Sequence, residues 1–444
     1  MKADIKEFRD KLNSISPTFC VAKWKQVTIH LATGQTHSCH HPAPHKIPLK
    51  EIAVDVSALH NTSFKKTQRL SMIDGHRPAE CDYCWRVEDA SNEVFSDRVM
   101  KSKDTWAANH IDSILADPLG NHAPSYLEIS FSNTCNFKCS YCNPESSSKW
   151  VEEIKKYGAY PTSTQFNNLE WLESQNKLPL SESDNNPYVD AFWQWWPSIY
   201  NSLEILRITG GEPLLTKNTF KVLDYIISNP KPQLELNINS NLCIPDKIFD
   251  QFISKIKFIQ ENKLIKSFKL YTSVEAYDKQ AEYIRFGLDY KSWKSNCHRV
   301  LKEIPDSKLT VMSTYNALSV TSYLDFLKDW NSLRKDHNKR NLSLDISYLR
   351  WPHHQNIFVL DQSFIKYLDN QLAYMKSEDF FEHEIHRFER IYTIFKDHLK
   401  KDQFIEQNQK DFAAFVEEHD KRRGTNFQNT FPEMNDFLQK CKML

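Results

Sequence analysis

Glycine is nearly absent from this chain, with 8 residues in 444, where a usual share is roughly 7%. So few glycines leave few places for left-handed turns or close backbone approach, and each one that remains is conspicuous. An excess of either charge is missing too: 57 Lys and Arg balance 57 Asp and Glu, so no global field steers the protein to nucleic acid or anionic lipid. No run approaches the ~18 consecutive apolar residues of a membrane span. The opening "MKADIKEFRDKLNS" is charged throughout and has no apolar signal core. The expectation is a soluble, cytoplasmic protein with neither membrane nor nucleic acid as partner. What is present is bulk. The length exceeds one ordinary domain, and 40% hydrophobic with 13% aromatic residues can fill a large core.

Ten cysteines without a secretory signal point to metal or redox chemistry rather than disulfides. In "NTCNFKCSYCNP" three of them, Cys135, Cys139 and Cys142, stand at C-x3-C-x2-C spacing, and no further Cys or His follows until Cys243. A structural zinc site is closed by four ligands. Three thiolates on a four-iron cluster instead leave one iron open to a ligand that is not protein.

From about residue 124 the chain alternates short strand patterns with helical ones. Six strands are expected: "YLEISF" (126–131), "LEILRI" (203–208), "LELNIN" (234–239), "FKLYTSV" (268–274), "LTVMST" (309–314) and "LSLDISYL" (342–349). Strands alternating with helices imply parallel pairing through crossovers, and six units fit an α/β fold of the partial (β/α)6 TIM-type barrel kind. The division expected is a small N-terminal Cys-rich α+β domain (1–120), the partial barrel (121–357, with an insertion at about 144–200) and a C-terminal helical extension (358–444). The triplet follows the first barrel strand, at the carboxyl end where parallel folds bind ligands. The second strand runs into "RITGGEP", where Gly210 and Gly211 can admit a close backbone or ligand approach and Glu212 offers a carboxylate to an ammonium group; alone, this could be an ordinary tight turn.

Together these motifs resemble the radical S-adenosylmethionine (SAM) enzymes. The triplet matches that superfamily's C-x3-C-x-aromatic-C signature, with Tyr141 at the aromatic position, and "GGEP" matches its next motif. The resemblance implies an oxidoreductase in which Cys135, Cys139 and Cys142 hold a [4Fe–4S] cluster whose open iron chelates SAM. Reductive cleavage then gives a 5′-deoxyadenosyl radical that abstracts hydrogen from substrate. It also implies that Gly210, Gly211 and Glu212 bind the SAM amino group, that Ser273 reaches the ribose and that Arg285 meets the SAM carboxylate. Asn239 and Asn241 face the same rim, and Trp351 with Pro352 could flank the adenine. An external electron donor such as flavodoxin or ferredoxin is the implied partner.

Ahead of the barrel, Cys20, thirteen residues, Gly34, four residues and Cys39 are followed by "CDYC", giving Cys81 and Cys84. By spacing alone this closed four-ligand set suits zinc or an iron–sulfur cluster equally, and His40, His41 and His45 are alternative ligands, though loop packing suits them better. The pattern resembles the twitch module, a shortened SPASM domain, which implies a second, auxiliary [4Fe–4S] cluster. In the resembling enzymes the module usually follows the barrel, whereas here it precedes it. Cys243 is a rim thiol that could donate hydrogen, and Cys297 and Cys441 carry no functional expectation. By analogy the substrate is a peptide or protein side chain, with a groove conceivable at "FWQWWPSIY" although packing of Trp193, Trp195 and Trp196 is the plainer reading. Modification of a nucleotide or small molecule is the rival reading, and a zinc-stabilised non-catalytic binding protein is the alternative of a different class.

Overall fold

The computed structural model describes residues 2–91, 93–180, 185–400 and 405–444; residues 181–184 of the insertion lie outside the described residues. Among the described residues β1 (Gln26–His30), β2 (Gln35–His37) and β3 (His45–Lys46) precede β4 (Tyr126–Ser130). There follow β5 (Lys138–Cys139), β6 (Ile205–Thr209), β7 (Lys231–Asn239), β8 (Ile265–Thr272), β9 (Arg285–Phe286), β10 (Lys308–Tyr315) and β11 (Leu342–Tyr348). All six expected parallel strands are present, as β4, β6, β7, β8, β10 and β11. They lie side by side in chain order and are parallel throughout, within a nine-stranded sheet ordered β11-β10-β8-β7-β6-β4-β1-β2-β3. The fold is mixed α/β with a large parallel sheet, in the sequential order that a (β/α) unit series requires.

Side-chain alternation explains which face meets the helices. Leu127, Ile129, Leu206, Ile208, Leu236, Ile238 and Leu270 are fully buried, whereas the residues between them are polar and half-buried. Register aligns Glu128 with Arg207, Arg207 with Asn237 and Asn237 with Lys269, so one face carries a charged row. A parallel sheet covered by helices on both faces would be apolar on both; this one is apolar on one side only. The connecting helices bury matching stripes, including Val222, Leu223 and Ile226 of Lys217–Ser228 and Phe249, Phe252, Ile253 and Ile256 of Asp246–Glu261.

The N-terminal 120 residues divide between two cores. β1 and β2 form an antiparallel hairpin with Gly34 at φ +61 in its turn, and a Cβ there would stand 2.1 Å from the Tyr188 ring. Its strand β1 also pairs residue for residue with β4, from Gln26 beside Tyr126 to His30 beside Ser130. Val27, Ile29 and Leu31 therefore join the main core, while Leu12, Phe19, Trp24, Met72, Trp85 and Trp106 form a smaller one. In the insertion, helix Pro187–Tyr200 packs Phe192, Trp195 and Trp196 inward, with Phe192 edge-on to Phe131 and Trp196 edge-on to Tyr225. Phe192, Trp195 and Trp196 are buried in the core.

The far edge, β11, is covered by the C-terminal helix Glu382–Leu399. Glu384, fully buried, accepts from Leu344 N (2.6 Å), from Phe381 N (3.1 Å) and from both terminal nitrogens of buried Arg334 (2.5 and 3.0 Å). Removing one member of such a pair strands the other charge in low dielectric. Glu384→Ala is expected to cost about 3–5 kcal/mol of stability in urea unfolding; a loss near zero would show that the helix does not secure this edge.

Candidate metal and cofactor site

The chain leaves β4, crosses the strand ends and reaches Cys135, and then β5 carries Cys139 into a two-stranded ribbon with β9. That ribbon sets Lys138 opposite Phe286 and Cys139 opposite Arg285. Arg285 directs Nη1 at Cys139 Sγ (3.7 Å), while Nε and Nη2 bond the Glu275 carboxylate at 2.6–3.1 Å and Nη2 also reaches Tyr141 Oη. Tyr141 Oη in turn donates to Glu275 (3.1 Å). Burial alone would lower the Arg285 pKa, but Glu275, Tyr141 and Cys139 outweigh it and hold the guanidinium charged. Arg285, expected to meet a ligand carboxylate, is bonded together with Tyr141 to a carboxylate of the protein, and its Nη1 reaches toward a thiol. Glu275 was not singled out from the sequence; its place directly behind the fourth barrel strand in "TSVEAYDKQAEYIRFG" was the available signal.

The three thiols influence one another. Burial first, then the charge of Cys139, pushes Cys135 up to about 12 and raises Cys142 as well. As free thiols they are neutral, and a metal must displace their protons to bind.

The glycine motif behind β6 lies against the loop that leads to Cys135. Gly211 N donates to Ser132 O (3.2 Å) and Glu212 N to Thr134 O (2.7 Å). A Cβ on Gly211 would stand 2.4 Å from Thr134 O and 2.6 Å from Asn133 O. In this structure the missing side chain makes room for the cysteine loop itself. Glu212, 1% exposed, accepts from Asn241 N (2.6 Å) and Leu214 N (3.0 Å); burial pushes its pKa up to about 7 against the pull of those amides. Asn241 also donates to Asn136 in the cysteine loop (2.8 Å), and Asn136 donates to Cys243 O (2.5 Å). Cys243 offers its thiol to Asp289 O (3.4 Å). Asn239 accepts from Arg207 (3.2 Å) on the polar face of the sheet. Ser273 lies one residue past β8, half-buried, while Trp351, after β11, is 44% exposed and meets His353 edge-on.

Cys20, Cys39, Cys81 and Cys84, distant in sequence, line one pocket together with Lys23, Arg98 and Lys101. Buried Lys23 pairs with Glu80 and points at Cys81 Sγ (3.6 Å). Close by, Lys65 and Arg69 are also buried, yet they bond neutral acceptors: Thr36 and His60 for Lys65, and Asn61, His60 and the Lys23 carbonyl for Arg69. Burial, with Arg69 and Lys23 beside it, pulls Lys65 well below the usual lysine range, a cost that an anion close by would offset; four thiolates around a metal centre would supply one. The donor set therefore fits an anionic cluster. The histidines have other partners: His41 bonds Asp97 (2.8 Å) and stacks on Tyr83, His45 bonds Thr62 (3.0 Å), and His40 contacts Gln26 (3.4 Å). Among the described residues no three Cys, His, Asp or Glu side chains gather tightly enough for a single metal ion; cluster ligands stand wider apart, with iron and sulfide between them.

No family model matches the chain. It is similar to GTP 3′,8-cyclases, which are radical SAM enzymes. With the protein of Psychromonas ingrahamii it shares 23% identity over 209 residues, 46% of this chain and 49% of that one. With that of Campylobacter lari it shares 28% over 119 residues, 27% of this chain and 28% of the other, and with that of Aliarcobacter butzleri 30% over 131 residues, 29% and 30%. The chain thus spans about half the length, or less, of the relatives it matches. These matches support the radical SAM superfamily of enzymes for this chain. The signature residues Cys135, Cys139 and Cys142 follow the carboxyl end of β4, Cys139 within β5, and the second motif braces the loop that leads to Cys135. Also missed in the sequence were Glu153 and Arg423, which contact the backbone and neighbours of Cys139 from 14 and 284 residues away; separations of that kind leave no local pattern.

Because no side chain fits at 211, Gly211→Ala must displace the radical SAM cysteine loop. Overpacking of this kind costs about 1–3 kcal/mol, and the variant is expected to retain less iron than wild type after anaerobic reconstitution. Full iron content with an unchanged urea midpoint would show that the loop tolerates the extra methyl.

Proposed function

We propose that this protein holds a [4Fe–4S] cluster on Cys135, Cys139 and Cys142, binds SAM at the open iron and modifies its substrate by hydrogen abstraction, with a second [4Fe–4S] cluster on Cys20, Cys39, Cys81 and Cys84 in a twitch-like module. One observation carries this reading: Cys135, Cys139 and Cys142 lie in the segment that follows the carboxyl end of β4, and buried Arg285 points at the Cys139 thiol. When bound, the cluster and SAM supply reductive cleavage to a 5′-deoxyadenosyl radical, the electron coming from an external one-electron donor of the flavodoxin or ferredoxin type. The chain's own residues position the loop: Gly210 and Gly211 admit its backbone, Glu212 and Asn241 tie it to the third barrel strand, and Glu275 orients Arg285 and Tyr141. The polar face of the parallel sheet is the proposed interior of a partial barrel, and SAM and substrate bind at its mouth, with Ser273 and Asn239 on the rim. Four cysteine ligands would close the second cluster, which suits electron transfer or structural support. No helix among the described residues is long and apolar enough to cross a membrane.

For the substrate, a peptide or protein side chain is the reading by analogy with auxiliary-cluster enzymes. The aromatics conceived as a peptide groove are packed in the core, however. A nucleotide is the second reading, and two observations favour it: the relatives are named for GTP, and the polar face presents Arg207 and Lys269 to a polar, anionic ligand.

Anaerobically purified protein is expected to carry about eight irons, absorb broadly near ~400 nm and form 5′-deoxyadenosine with SAM and reductant. Cys135→Ala should abolish that cleavage, and Cys81→Ala should leave uncoupled cleavage without product. Addition of GTP should raise turnover in the nucleotide reading and leave it unchanged in the peptide reading. Zinc without iron would sink the enzyme reading in favour of a zinc-stabilised binding protein. Normal turnover by Cys81→Ala would remove the second cluster from the chemistry.

A further inference from the structure

The C-terminal extension ends its helix Glu406–Arg423 at the first cysteine loop. In "KRRG" the two arginines are buried: Arg422 is 2% and Arg423 0% exposed at the side chain. Arg422 donates to Gly158 O (2.8 Å) and Ala159 O (3.2 Å). Higher in the same helix, Asp411 accepts from Ser163 N (2.9 Å), and His419 stacks on Tyr283. The helix is thereby held to both the insertion and the segment ahead of β9.

Arg423 reaches further. Its Nη1 donates to Lys138 O (2.6 Å), the carbonyl directly before Cys139, and Nε and Nη2 bond Glu153 at 3.2 Å. Its guanidinium lies over Trp150 at 4.8 Å and Phe286 at 5.3 Å, and Trp150 Nε1 donates to Cys139 O (3.0 Å). Lys138 Nζ shares the Glu153 carboxylate (2.5 Å). Burial alone would raise Glu153, but Arg423, Lys138 and Tyr160 hold it down at about 2. Two cations thus face one carboxylate beside Cys139, a local surplus of positive charge, while Arg285 directs its own N–H at the thiol from the β9 side.

We propose that Arg423 is a positioning residue for the first cluster: it fixes the Lys138–Cys139 backbone, and its charge, with that of Arg285, favours the reduced cluster after one electron arrives from the external donor. This inference rests on the cluster assignment made above. The physical argument is electrostatic. A fixed buried cation stabilises the more negative redox state, and second-sphere charge and hydrogen bonding are levers on cluster potential. The tail is thereby part of the cofactor machinery.

The test uses full-length protein purified anaerobically, with Arg423→Gln and Arg423→Lys as variants. The readouts are the midpoint potential of the EPR signal that SAM addition perturbs, iron loss to a chelator, and the thermal midpoint of each apoprotein. The SAM-sensitive signal singles out the open-iron cluster. Expected are a potential shifted to more negative values and several-fold faster iron loss in R423Q, with the potential of R423K close to wild type because the charge is kept. Wild-type potential and iron retention in R423Q overturn the inference. So does an equal fall in apoprotein stability in both variants with no change in potential, which leaves a purely structural latch. Wild-type protein lacking any SAM-sensitive signal overturns the cluster assignment and this inference together, whereas a signal present but indifferent to R423Q overturns this inference alone.

Discussion

The backbone of residues 133 and 134 occupies the volume a side chain on Gly211 would fill, and most of the site follows from that contact. Parallel pairing of β4 and β6 brings the two strand ends level, so the loop after one must pass the loop after the other. With glycine at 211 the loops touch through two amide–carbonyl bonds. That contact sets where Cys135 begins, and the β5–β9 ribbon then sets where Cys139 lies relative to Arg285. In a chain with 8 glycines, two adjacent ones at this crossing mark a demand for space that polar or turn-forming residues could not meet.

Both cysteine sites share an electrostatic plan. Burial keeps free thiols neutral, and cations stand ready for the charge that metal binding would create. At the first site Arg285, Lys138 and Arg423 approach Cys139, with Glu275 and Glu153 as orienting counter-charges. At the second, Lys23, Arg98 and Lys101 line the pocket, and Lys65 and Arg69 lie behind it on neutral partners. Guanidinium forks suit this arrangement because one group can bond a carboxylate and a backbone oxygen at once while keeping its charge when buried. The register of β1 on β4 ties the two sites into one sheet, because the hairpin that carries the chain toward Cys39 is also the strand beside the cysteine-loop strand.

Much of the fold was legible in one dimension. Alternation of Leu and Ile with polar residues marked the six parallel strands, and stripes at helical spacing marked the helices between them. The cysteine spacings and the glycine pair stood out because thiols and glycines are rare enough to notice. The aromatic helix was legible as core for the same reason, since Phe192, Trp195 and Trp196 recur at helical intervals. Reading failed where meaning depended on a partner far along the chain. Arg285 was legible as a cation of the site, but Glu275 was not identified as its counter-charge. The arginines at 422 and 423 carried no reading because Glu153 and the Lys138 carbonyl lie more than 250 residues away.

The amino-acid order by itself determined the element series, the two sets of thiols and the places where side chains must be missing, because periodicity and residue type are local properties. Tertiary structure alone decided that β1 extends the parallel sheet, that the glycine motif braces a cysteine loop and that the last long helix ends at Cys139. Those outcomes depend on which buried charge finds which counter-charge and which strand edge finds which neighbour. Such choices are made by packing across the whole molecule, and no stretch of sequence records them.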